Sequence, residues 1–476
     1  MDILSKSAKR KRRRSRTPNQ LRLNMKSVST DPHVQLSERP RLPDLPEGRF
    51  GRLFRELPCP NATGDELLKY GAAGGPIECR TGVHEGLGED NPRIAAGWPF
   101  FGQFVAHDIT HDRSPLQETE DVGVLQNFRT PRLDLECIYG AGPVGQPYLY
   151  DVHDPDKLLV GRNGSETGDL PRNEQGLAII GDPRNDTHLF VSQLQLAFLR
   201  FHNRIVDRLR EQRIEASEVF PRAAQMVRWH YQWIVLHEFL PLSVGDELVD
   251  ELLQSGPKVC RFSGKAFIPV EFSDGAYRFG HAQVRANYDV NFKLRGVPIF
   301  PDLVGVCSVT AERQIDWKLL FEFEGQPPPQ PSRRIGPQLV SALMRLPKAL
   351  VGETPKTEFS SLASRDLYRG HSVALPSGES IARALGLAPC TAIDLKTADS
   401  NWTETPLWLY VLAEAEVQQN GERLGEVGGR IVAEVIFELL RKDPTSFLSD
   451  PKWRPELAGT DGKFGIADLL KYSGVA

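Results

Sequence analysis

The sequence predicts a mainly α-helical protein, a single large domain with long loops and little β structure. In residues 189–209 the apolar side chains recur at helical spacing, so that one stripe holds Leu194, Ala197, Phe198, Phe201 and Ile205. Residues 223–242 and 428–442 are further predicted helices. Few segments show the period of two that is typical of a half-buried strand. Pro-rich stretches such as residues 325–332 (GQPPPQPS) are predicted loops.

The composition is that of an ordinary globular protein. The chain has 476 residues, of which 40% are hydrophobic and 25% charged, and this is enough apolar material for a sizeable core. No apolar run approaches the roughly 20 residues of a membrane span, and no signal-peptide core is visible near the first residue. The six cysteines form no CxxC pairs, which speaks against a disulfide framework or a zinc ribbon. We therefore expect a cytoplasmic protein, or a nuclear one in a eukaryote.

The first 45 residues differ from the rest of the chain. They are polar and basic, and residues 6–16 (KSAKRKRRRSR) hold eight Lys and Arg without apolar periodicity. Such a run cannot form a core, so residues 1–45 are predicted to be a disordered tail and residues 46–476 the folded domain. The tail either makes a weak nucleic-acid contact or acts as a nuclear-localisation signal, or it is simply a solvated segment.

Residues 102–112 (GQFVAHDITHD) read as a buried helix with unexpected polar side chains. Gln103 and His107 are four residues apart and share one helix face, whereas Asp108 lies about 100° further round the axis. His107 and His111 have the spacing of a helical zinc site, but no third ligand accompanies them in the metalloprotease pattern. A locally hydrogen-bonded buried pair is the alternative interpretation for these polar residues.

Three segments carry four spaced motifs (the distal residues, the catalytic Arg, the long helix after it and the proximal His) that resemble the animal-type haem peroxidases in the order that this family shows. Residues 100–108 (FFGQFVAHD) match its distal Gln and His, and residues 181–205 (GDPRNDTHLFVSQLQLAFLRFHNRI) match its catalytic Arg and long helix. Residues 277–285 (YRFGHAQVR) match the segment that carries the proximal His. Residues 366–378 and 424–435 are similar to a bacterial-type branch. The resemblance spans roughly residues 95–440 and implies one large helical haem peroxidase domain.

The resemblance assigns roles to particular residues. His281 would bind the haem iron, with Arg278 and Asp366 as neighbouring cofactor-binding residues. His107 would take a proton from hydrogen peroxide and return it to the departing oxygen. Arg184 would stabilise the negative charge that develops, unless it only forms a surface salt bridge with Asp182 or Asp186. Gln103 would hold the peroxide by hydrogen bonds.

Several positions depart from the family pattern. Asp366 stands where the family has the asparagine that accepts the proximal N–H, and a carboxylate there would push the imidazole toward imidazolate. Arg278 occupies the position of the radical-forming tyrosine of the cyclooxygenase-like relatives, although Tyr277 is adjacent. Ala106 and Thr187 replace the carboxylates that esterify haem in animal relatives, and His188 stands where a vinyl-linking methionine would be needed. These substitutions predict non-covalent haem b.

The family also has a calcium site, and residues 130–140 (TPRLDLECIYG) match its loop. The resemblance implies ligation by Asp108, Thr130, the Arg132 carbonyl, Asp134 and Glu136, all hard oxygen donors of the kind that calcium prefers. Glu136 stands where a serine is usual. A plain acidic turn is the alternative.

The function that the resemblance implies is reduction of hydrogen peroxide through a ferryl intermediate, at the expense of a small reducing substrate. Halide, phenol and lipid all remain open as that substrate. The alternatives are a fatty-acid dioxygenase on the same haem scaffold, and a haem-binding or DNA-associated protein without turnover.

Overall fold

The computed structural model describes residues 48–79, 90–114, 122, 125–164, 168–354, 356–390, 402–459 and 462–476. The basic segment 6–16 and its predicted nucleic-acid contact lie outside these residues. Helices predominate, which confirms the predicted fold class. The α-helices of the described part are α1 (Gly64–Gly71), α2 (Trp98–Ile109), α3 (Glu136–Tyr139), α4 (Gly142–Gly145), α5 (Leu189–Glu211), α6 (Ala216–Ile234), α7 (Leu240–Val244), α8 (Asp246–Ser255), α9 (Val270–Ser273), α10 (Lys348–Val351), α11 (Leu362–Ser372), α12 (Gly378–Ala384), α13 (Leu407–Gln419), α14 (Glu426–Lys442) and α15 (Ile466–Ser473).

The strands are short and none of their sheets is closed. They are β1 (Gly48–Gly51), β2 (Asp90–Ala95), β3 (Gln126–Asn127), β4 (Ile268–Pro269), β5 (Asn287–Tyr288), β6 (Val297–Pro298) and β7 (Pro331–Arg333). Strand β1 pairs antiparallel with β3 and parallel with β4, β2 pairs with β7, and β5 pairs with β6. These small ladders tie loops together; the core lies between the helices.

Helix α5 is the central element of the core. Its predicted stripe is fully buried, and the helix packs on α6, α15 and α2. At its start, the ring of His188 accepts a hydrogen bond from the N–H of Phe190 and caps the first turn. The 3-10 turn Pro183–Asp186 comes immediately before this cap, so α5 holds that turn against the core.

Two other predicted helices are confirmed, one with a change of winding. Residues 223–242 fall in α6, in a π-helical turn over Val235–Phe239, and in α7. Residues 428–442 lie in α14. The π turn lies next to the cavity described below, which Phe239 lines.

Helix α2 is shorter than the pattern of residues 102–112 indicates. It ends at Ile109, and the hydroxyl of Thr110 donates to the carbonyl of Ala106 at 2.7 Å. His111 therefore lies beyond the helix, and its N–H donates to Asn127 in β3 at 2.7 Å. At the other end, a Cβ on Gly97 would lie 2.6 Å from the carbonyl oxygen of Leu320, so only glycine allows this close approach.

One loop prediction needs a small correction. Residues 325–332 were expected to be loop throughout, but Pro331 and Ser332 belong to β7. Proline is tolerated there because this two-stranded ladder has free edges. Within the part of the chain that the structure describes, no helix is long and apolar enough to cross a bilayer.

Candidate active site

A large cavity lies where α2, the turn Pro183–Asp186 and the 3-10 helix Ala276–Gln283 meet. It contains about 1500 Å³ of space, including its open mouth. The sequence-predicted residues Gln103, His107, Arg184, Arg278 and His281 all line it. Most of the remaining wall is apolar, including Phe239, Phe272, Ile299, Leu343, Leu346, Leu350 and Leu362. Asp108 is not among the lining residues, as the helical geometry of α2 predicts.

His107 is buried and held in one tautomer. Its Nδ1 lies 2.7 Å from Oδ1 of Asn185, an oxygen that can only accept, so Nδ1 carries the proton. Its Nε2 therefore presents a lone pair, and this atom is buried without a hydrogen-bond partner in the described part of the chain. Burial, followed by the positive charge of Arg184, lowers the pKa of His107 to about 3. The ring is consequently a neutral proton acceptor at physiological pH.

The orientation of Asn185 is set by a further amide. Its Nδ2 donates to Oε1 of Gln195 in α5 at 2.7 Å, and Nε2 of Gln195 donates to the carbonyl of Cys137 at 3.3 Å. Each of these polar groups is buried. The carbonyl of Cys137 can only accept, so the amide nitrogen of Gln195 must face it and the amide oxygen of Gln195 must face Asn185. The amide nitrogen of Asn185 therefore faces Gln195, and its amide oxygen faces His107.

Arg184 is fixed by a buried carboxylate. Its Nε and Nη2 donate to Asp182 at 3.0 and 2.7 Å, and Nη2 also donates to the carbonyl of His107 at 2.9 Å. The salt bridge with Asp182 that was named as the alternative is therefore present, but it is buried and not on the surface, since Arg184 is 4% exposed and Asp182 is fully buried. Asp186 is paired with Arg172 instead. Burial alone would raise the pKa of Asp182, but Arg184 and Arg129 hold it well below its usual range.

His281 is held by the carboxylate that the sequence predicts. Its Nδ1 lies 2.6 Å from Oδ2 of Asp366, a fully buried residue of α11. Nη1 of Arg278 donates to the other oxygen of Asp366 at 2.8 Å, and its Nη2 donates to Asp274 at 2.5 Å. Asp366 thus accepts from an imidazole and a guanidinium at once, and the positive charge of Arg278 offsets part of its pull on the imidazole proton.

Tyr277 also lines the cavity, one residue before Arg278. Its hydroxyl donates to the carbonyl of Gly102 at 3.1 Å, and its ring stacks on Phe272 at a centroid distance of 4.6 Å. Burial raises the pKa of Tyr277 far above its usual value, so the phenol is protonated at any physiological pH.

In the predicted calcium loop, Asp134 and the nearby Asp108 accept hydrogen bonds from residues of the same loop. Thr130 Oγ1 donates to Asp134 at 2.8 Å, and the N–H of Leu135 donates to Asp108 Oδ2 at 3.1 Å. Burial, and then the charge of Asp134, raises the pKa of Asp108 well above its usual value. Burial raises the pKa of Asp134 to about 6, against the lowering effect of the Thr130 hydrogen bond.

Glu136 does not join these two acids, contrary to the expected ligand set. Its carboxylate accepts from Arg129 Nη1 and from the N–H of Thr130, both at 3.0 Å. The predicted ligand of Arg132 is its backbone carbonyl, which stays a prediction; its side chain lies 3.9 Å from Asp443. Across the described ranges, no three His, Cys, Asp or Glu side chains are grouped as a metal site requires. Arg129 provides the positive charge that faces Glu136.

Three buried polar residues of the cavity region were not predicted from the sequence. Asn185, His188 and Gln283 carry no pattern of their own that points to a role in the cavity, although all three lie inside recognised motifs, residues 181–205 and 277–285. The one available signal was position, because Asn185 and His188 closely follow Arg184 and Gln283 follows His281 by two residues.

A family model for the animal haem peroxidase domain matches residues 113–404. This span includes Arg184, Arg278, His281 and Asp366, while Gln103 and His107 precede it. Together with the helical fold, the match defines the class as a haem peroxidase domain. The chain belongs to the animal haem peroxidase family.

The individual relatives have low sequence identity to this chain. The chain is 26% identical to chorion peroxidase of Drosophila melanogaster over 290 residues, which are 56% of this chain and 34% of that protein. It therefore spans about a third of that curated relative. Among solved structures, peroxidase A from Dictyostelium discoideum matches with a TM-score of 0.64 and 16% identity over 94% of this chain and 97% of that one. The fatty acid alpha-dioxygenase of Oryza sativa matches with a TM-score of 0.58 and 15% identity, over 87% of this chain and 77% of that one.

Proposed function

We propose that this chain is a haem peroxidase that reduces hydrogen peroxide and oxidises a small donor. In balanced form, one peroxide and two donor molecules, each losing one hydrogen atom, give two waters and two donor radicals. The observation that carries the proposal is the pair of histidines in one cavity: His107 with a free Nε2 lone pair, and His281 with its Nδ1 held by Asp366. Haem held by His281 would supply the redox chemistry.

The residues of the cavity suit haem in two respects. The wall is largely apolar, as a macrocycle requires, and His281, which would hold the iron, already has the carboxylate partner that raises the basicity of a metal-binding histidine. The unpartnered Nε2 of His107 faces no other acceptor or donor of the described chain, so it is left for a ligand of the cavity.

The steps of this chain's own residues follow from their contacts. His107 Nε2 accepts a proton from peroxide and later gives it to the departing oxygen, because Asn185 keeps the other ring nitrogen protonated. Arg184 places a fixed positive charge beside His107, and Asp182 prevents it from turning away. Gln103, one turn before His107, orients the peroxide by hydrogen bonds.

The test is an absorption spectrum of the purified protein with and without peroxide. Wild type is expected to show a Soret band that changes on adding peroxide, and His281→Ala is expected to lose the band. Changing His107→Leu or Arg184→Leu should leave haem bound and slow the spectral change by a factor on the order of 100. A Soret band without any response to peroxide would indicate haem binding without turnover.

We further propose that the haem is haem b, bound without covalent links. Ala106 and Thr187 both line the cavity, and neither has a carboxylate that could form an ester. The carboxylates that do line it, Asp112 and Asp274, are paired with Arg369 and Arg278. Denaturing reversed-phase chromatography should release unmodified haem in a peak separate from the polypeptide. Haem that co-elutes with protein after peroxide turnover would overturn this.

Calcium binding at the 130–136 loop is a second proposal. It is supported by the buried carboxylate of Asp108 and the partly buried carboxylate of Asp134, both with raised pKa values, and by Oδ1 of Asp108, which accepts no hydrogen bond from the described chain. The backbone oxygens of Thr130 and Arg132 would complete the shell. Calcium should raise the unfolding temperature of EDTA-treated protein, and this gain should vanish in Asp134→Asn.

A fatty-acid dioxygenase is the alternative function, and Tyr277 is the observation that favours it. The tyrosine lines the cavity, and Leu343, Leu346 and Leu350 give one wall the apolar character that an acyl chain needs. Oxygen uptake with palmitic or a polyunsaturated fatty acid, in the absence of peroxide, would establish this function. Consumption of peroxide with a phenol, and no oxygen uptake, would exclude it.

A further inference from the structure

The hydroxyl of Tyr277 links helix α2 to the segment that carries His281. Tyr277 and His281 belong to the same 3-10 helix, Ala276–Gln283, and the Tyr277 hydroxyl donates to the carbonyl of Gly102 in α2 at 3.1 Å. The carbonyl of Gly102 and the N–H of Gln103 are parts of one planar peptide group. The hydrogen bond therefore holds the backbone of α2 at the residue boundary where Gln103 begins.

Gln103 depends on that backbone for its position. It lines the cavity, and its side chain forms no hydrogen bond with another group of the described residues. His107 and Arg184, by contrast, are each held by a side-chain partner, Asn185 and Asp182 respectively. A long side chain without such a partner can occupy several rotamers, which all start from the direction that the backbone sets. The peptide group next to Gln103 is therefore the part of the chain that aims its amide.

Tyr277 is itself held in place by other aromatic rings. Its ring stacks on the fully buried Phe272 at a centroid distance of 4.6 Å and meets the edge of Phe279 at 6.1 Å. Burial raises the pKa of Tyr277 far above its usual value, so the hydroxyl remains a donor over the whole physiological pH range. A donor that can neither turn away nor ionise is suited to fixing a backbone carbonyl.

Gly102 permits the close packing at this point. A Cβ there would lie 3.1 Å from Cζ of Phe239 and 3.9 Å from the hydroxyl oxygen of Tyr277. Phe239 comes from the π turn, and its ring meets that of Tyr277 at a right-angled contact with a centroid distance of 6.4 Å. Two aromatic side chains from different segments thus pack on the bare backbone of α2, immediately before Gln103.

We infer that Tyr277 is a positioning residue: by fixing the peptide group between Gly102 and Gln103, it aims the Gln103 amide at the peroxide. This inference rests on the proposed peroxidase function and gives Tyr277 a role in which its phenol is not oxidised. Without the hydroxyl, haem should stay bound through His281, whereas the Gln103 amide is no longer aimed. Because small displacements of a positioned group slow a reaction strongly, the reaction with peroxide should then slow on the order of tenfold.

The test is stopped-flow mixing of the ferric holoprotein with peroxide, on samples of equal haem content. Tyr277→Phe should lower the second-order rate, and Tyr139→Phe is the matched control. Tyr139 is also buried, its hydroxyl also has a partner at 3.1 Å, Nδ1 of His202, and it does not line the cavity, so this variant should react like wild type. In Gln103→Leu, adding Tyr277→Phe should slow the reaction no further, because the hydroxyl acts through Gln103. A general loss of stability would not produce this coupling.

Gly102→Ala is an independent variant that keeps the phenol but crowds its contact with α2. It should also slow the reaction, and it decides the question if Tyr277→Phe does not fold. Three results would overturn the inference: wild-type rates in both variants, effects of Tyr277→Phe and Gln103→Leu that simply add, or oxygen uptake with palmitic acid that wild type shows and Tyr277→Phe has lost. If wild type reacts with peroxide and one of these results is found, only the role of Tyr277 is refuted. If wild type does not react, the peroxidase proposal fails and this inference fails with it.

Discussion

At the scale of single residues, two histidines of one cavity differ because of what each Nδ1 meets. His107 meets the neutral amide oxygen of Asn185, and His281 meets the carboxylate of Asp366. An amide fixes the tautomer without adding charge, which keeps His107 a proton acceptor. A carboxylate adds electron density to the ring, which suits a metal ligand.

Replacing Asn185 by Asp should make the distal step dependent on pH. A carboxylate beside Nδ1 favours the imidazolium form and raises the pKa of His107 from about 3 toward neutrality. The protonated ring cannot accept a proton, so the rate of reaction with peroxide should fall on the order of tenfold as pH drops from 8 to 5. Wild type should be flat over this range because its histidine is neutral throughout. Stopped-flow mixing with peroxide measures the rate of each protein as a function of pH. If Asn185→Asp and wild type show the same pH dependence, the proposed role of Asn185 is wrong.

Replacing Asp366 by Asn should raise the ferric/ferrous potential. The amide accepts the N–H of His281 less strongly, and the ligand loses imidazolate character. Because Arg278 already offsets part of the carboxylate charge, we expect a shift of tens of millivolts rather than hundreds. Redox titration of samples with equal haem content measures it. An unchanged potential would show that Asp366 does not tune the ligand.

At the scale of elements, Arg129 joins the 130–136 loop to the turn that carries Arg184. Its Nη1 donates to Glu136 at 3.0 Å, its Nη2 to the carbonyl of Gly181 at 3.0 Å and to Asp182 at 2.6 Å. Asp182 in turn holds Arg184. A path of one partly buried and two buried ion pairs therefore links this loop to the part of the cavity wall that carries Arg184.

Arg129→Met should reveal this link. It leaves the carboxylates of Asp182 and Glu136 without their shared cation, which should lower the free energy of unfolding by about 3–5 kcal/mol. The reaction with peroxide should also slow, because Asp182 is no longer fixed by Arg129 and therefore no longer fixes the guanidinium of Arg184. Arg132→Ala is the matched control: this arginine lies on the same loop, is half exposed and has one distant partner at 3.9 Å. Urea denaturation and stopped-flow rates should separate the two variants; equal effects would show that Arg129 does not couple the 130–136 loop to Arg184.

At the scale of the whole molecule, α5 connects the turn Pro183–Asp186 to the rest of the core. Its His202 is buried, with Nε2 donating to the carbonyl of Asp156 at 2.8 Å and Nδ1 lying 3.1 Å from the hydroxyl of Tyr139. His202 thus joins α5 to a loop and to α3, and it does not line the cavity.

His202 should make the fold sensitive to acid. Burial lowers its pKa to about 4, whereas the unfolded chain protonates a histidine near pH 6.5. Between these values only the unfolded chain takes up the proton, so falling pH favours unfolding. From pH 7 to 5, wild type should lose about 2 kcal/mol more of its free energy of unfolding than His202→Gln. Urea denaturation at the two pH values checks this, and parallel losses would refute it.

The sequence by itself determined what depends on local spacing. Three features follow from 3.6 residues per turn. They are the buried stripe of α5, the shared helix face of Gln103 and His107, and the direction of Asp108 away from the cavity. The pairing of His281 with Asp366, 85 residues away, was foreseen only because the motifs resemble a known family. The extent of one folded domain over residues 46–476 stays a prediction, as does membership of the bacterial-type branch.

Only the tertiary structure decided which distant polar groups meet. Asn185 lies 78 residues from His107, and no periodicity could have paired them. Glu136 turned to Arg129 instead of joining Asp108 and Asp134, because packing brings this cation within 3.0 Å of its partly buried carboxylate. Local sequence determines which residues share a helix face. Which buried polar groups form hydrogen bonds or ion pairs is determined by the packing of segments that are distant in the sequence.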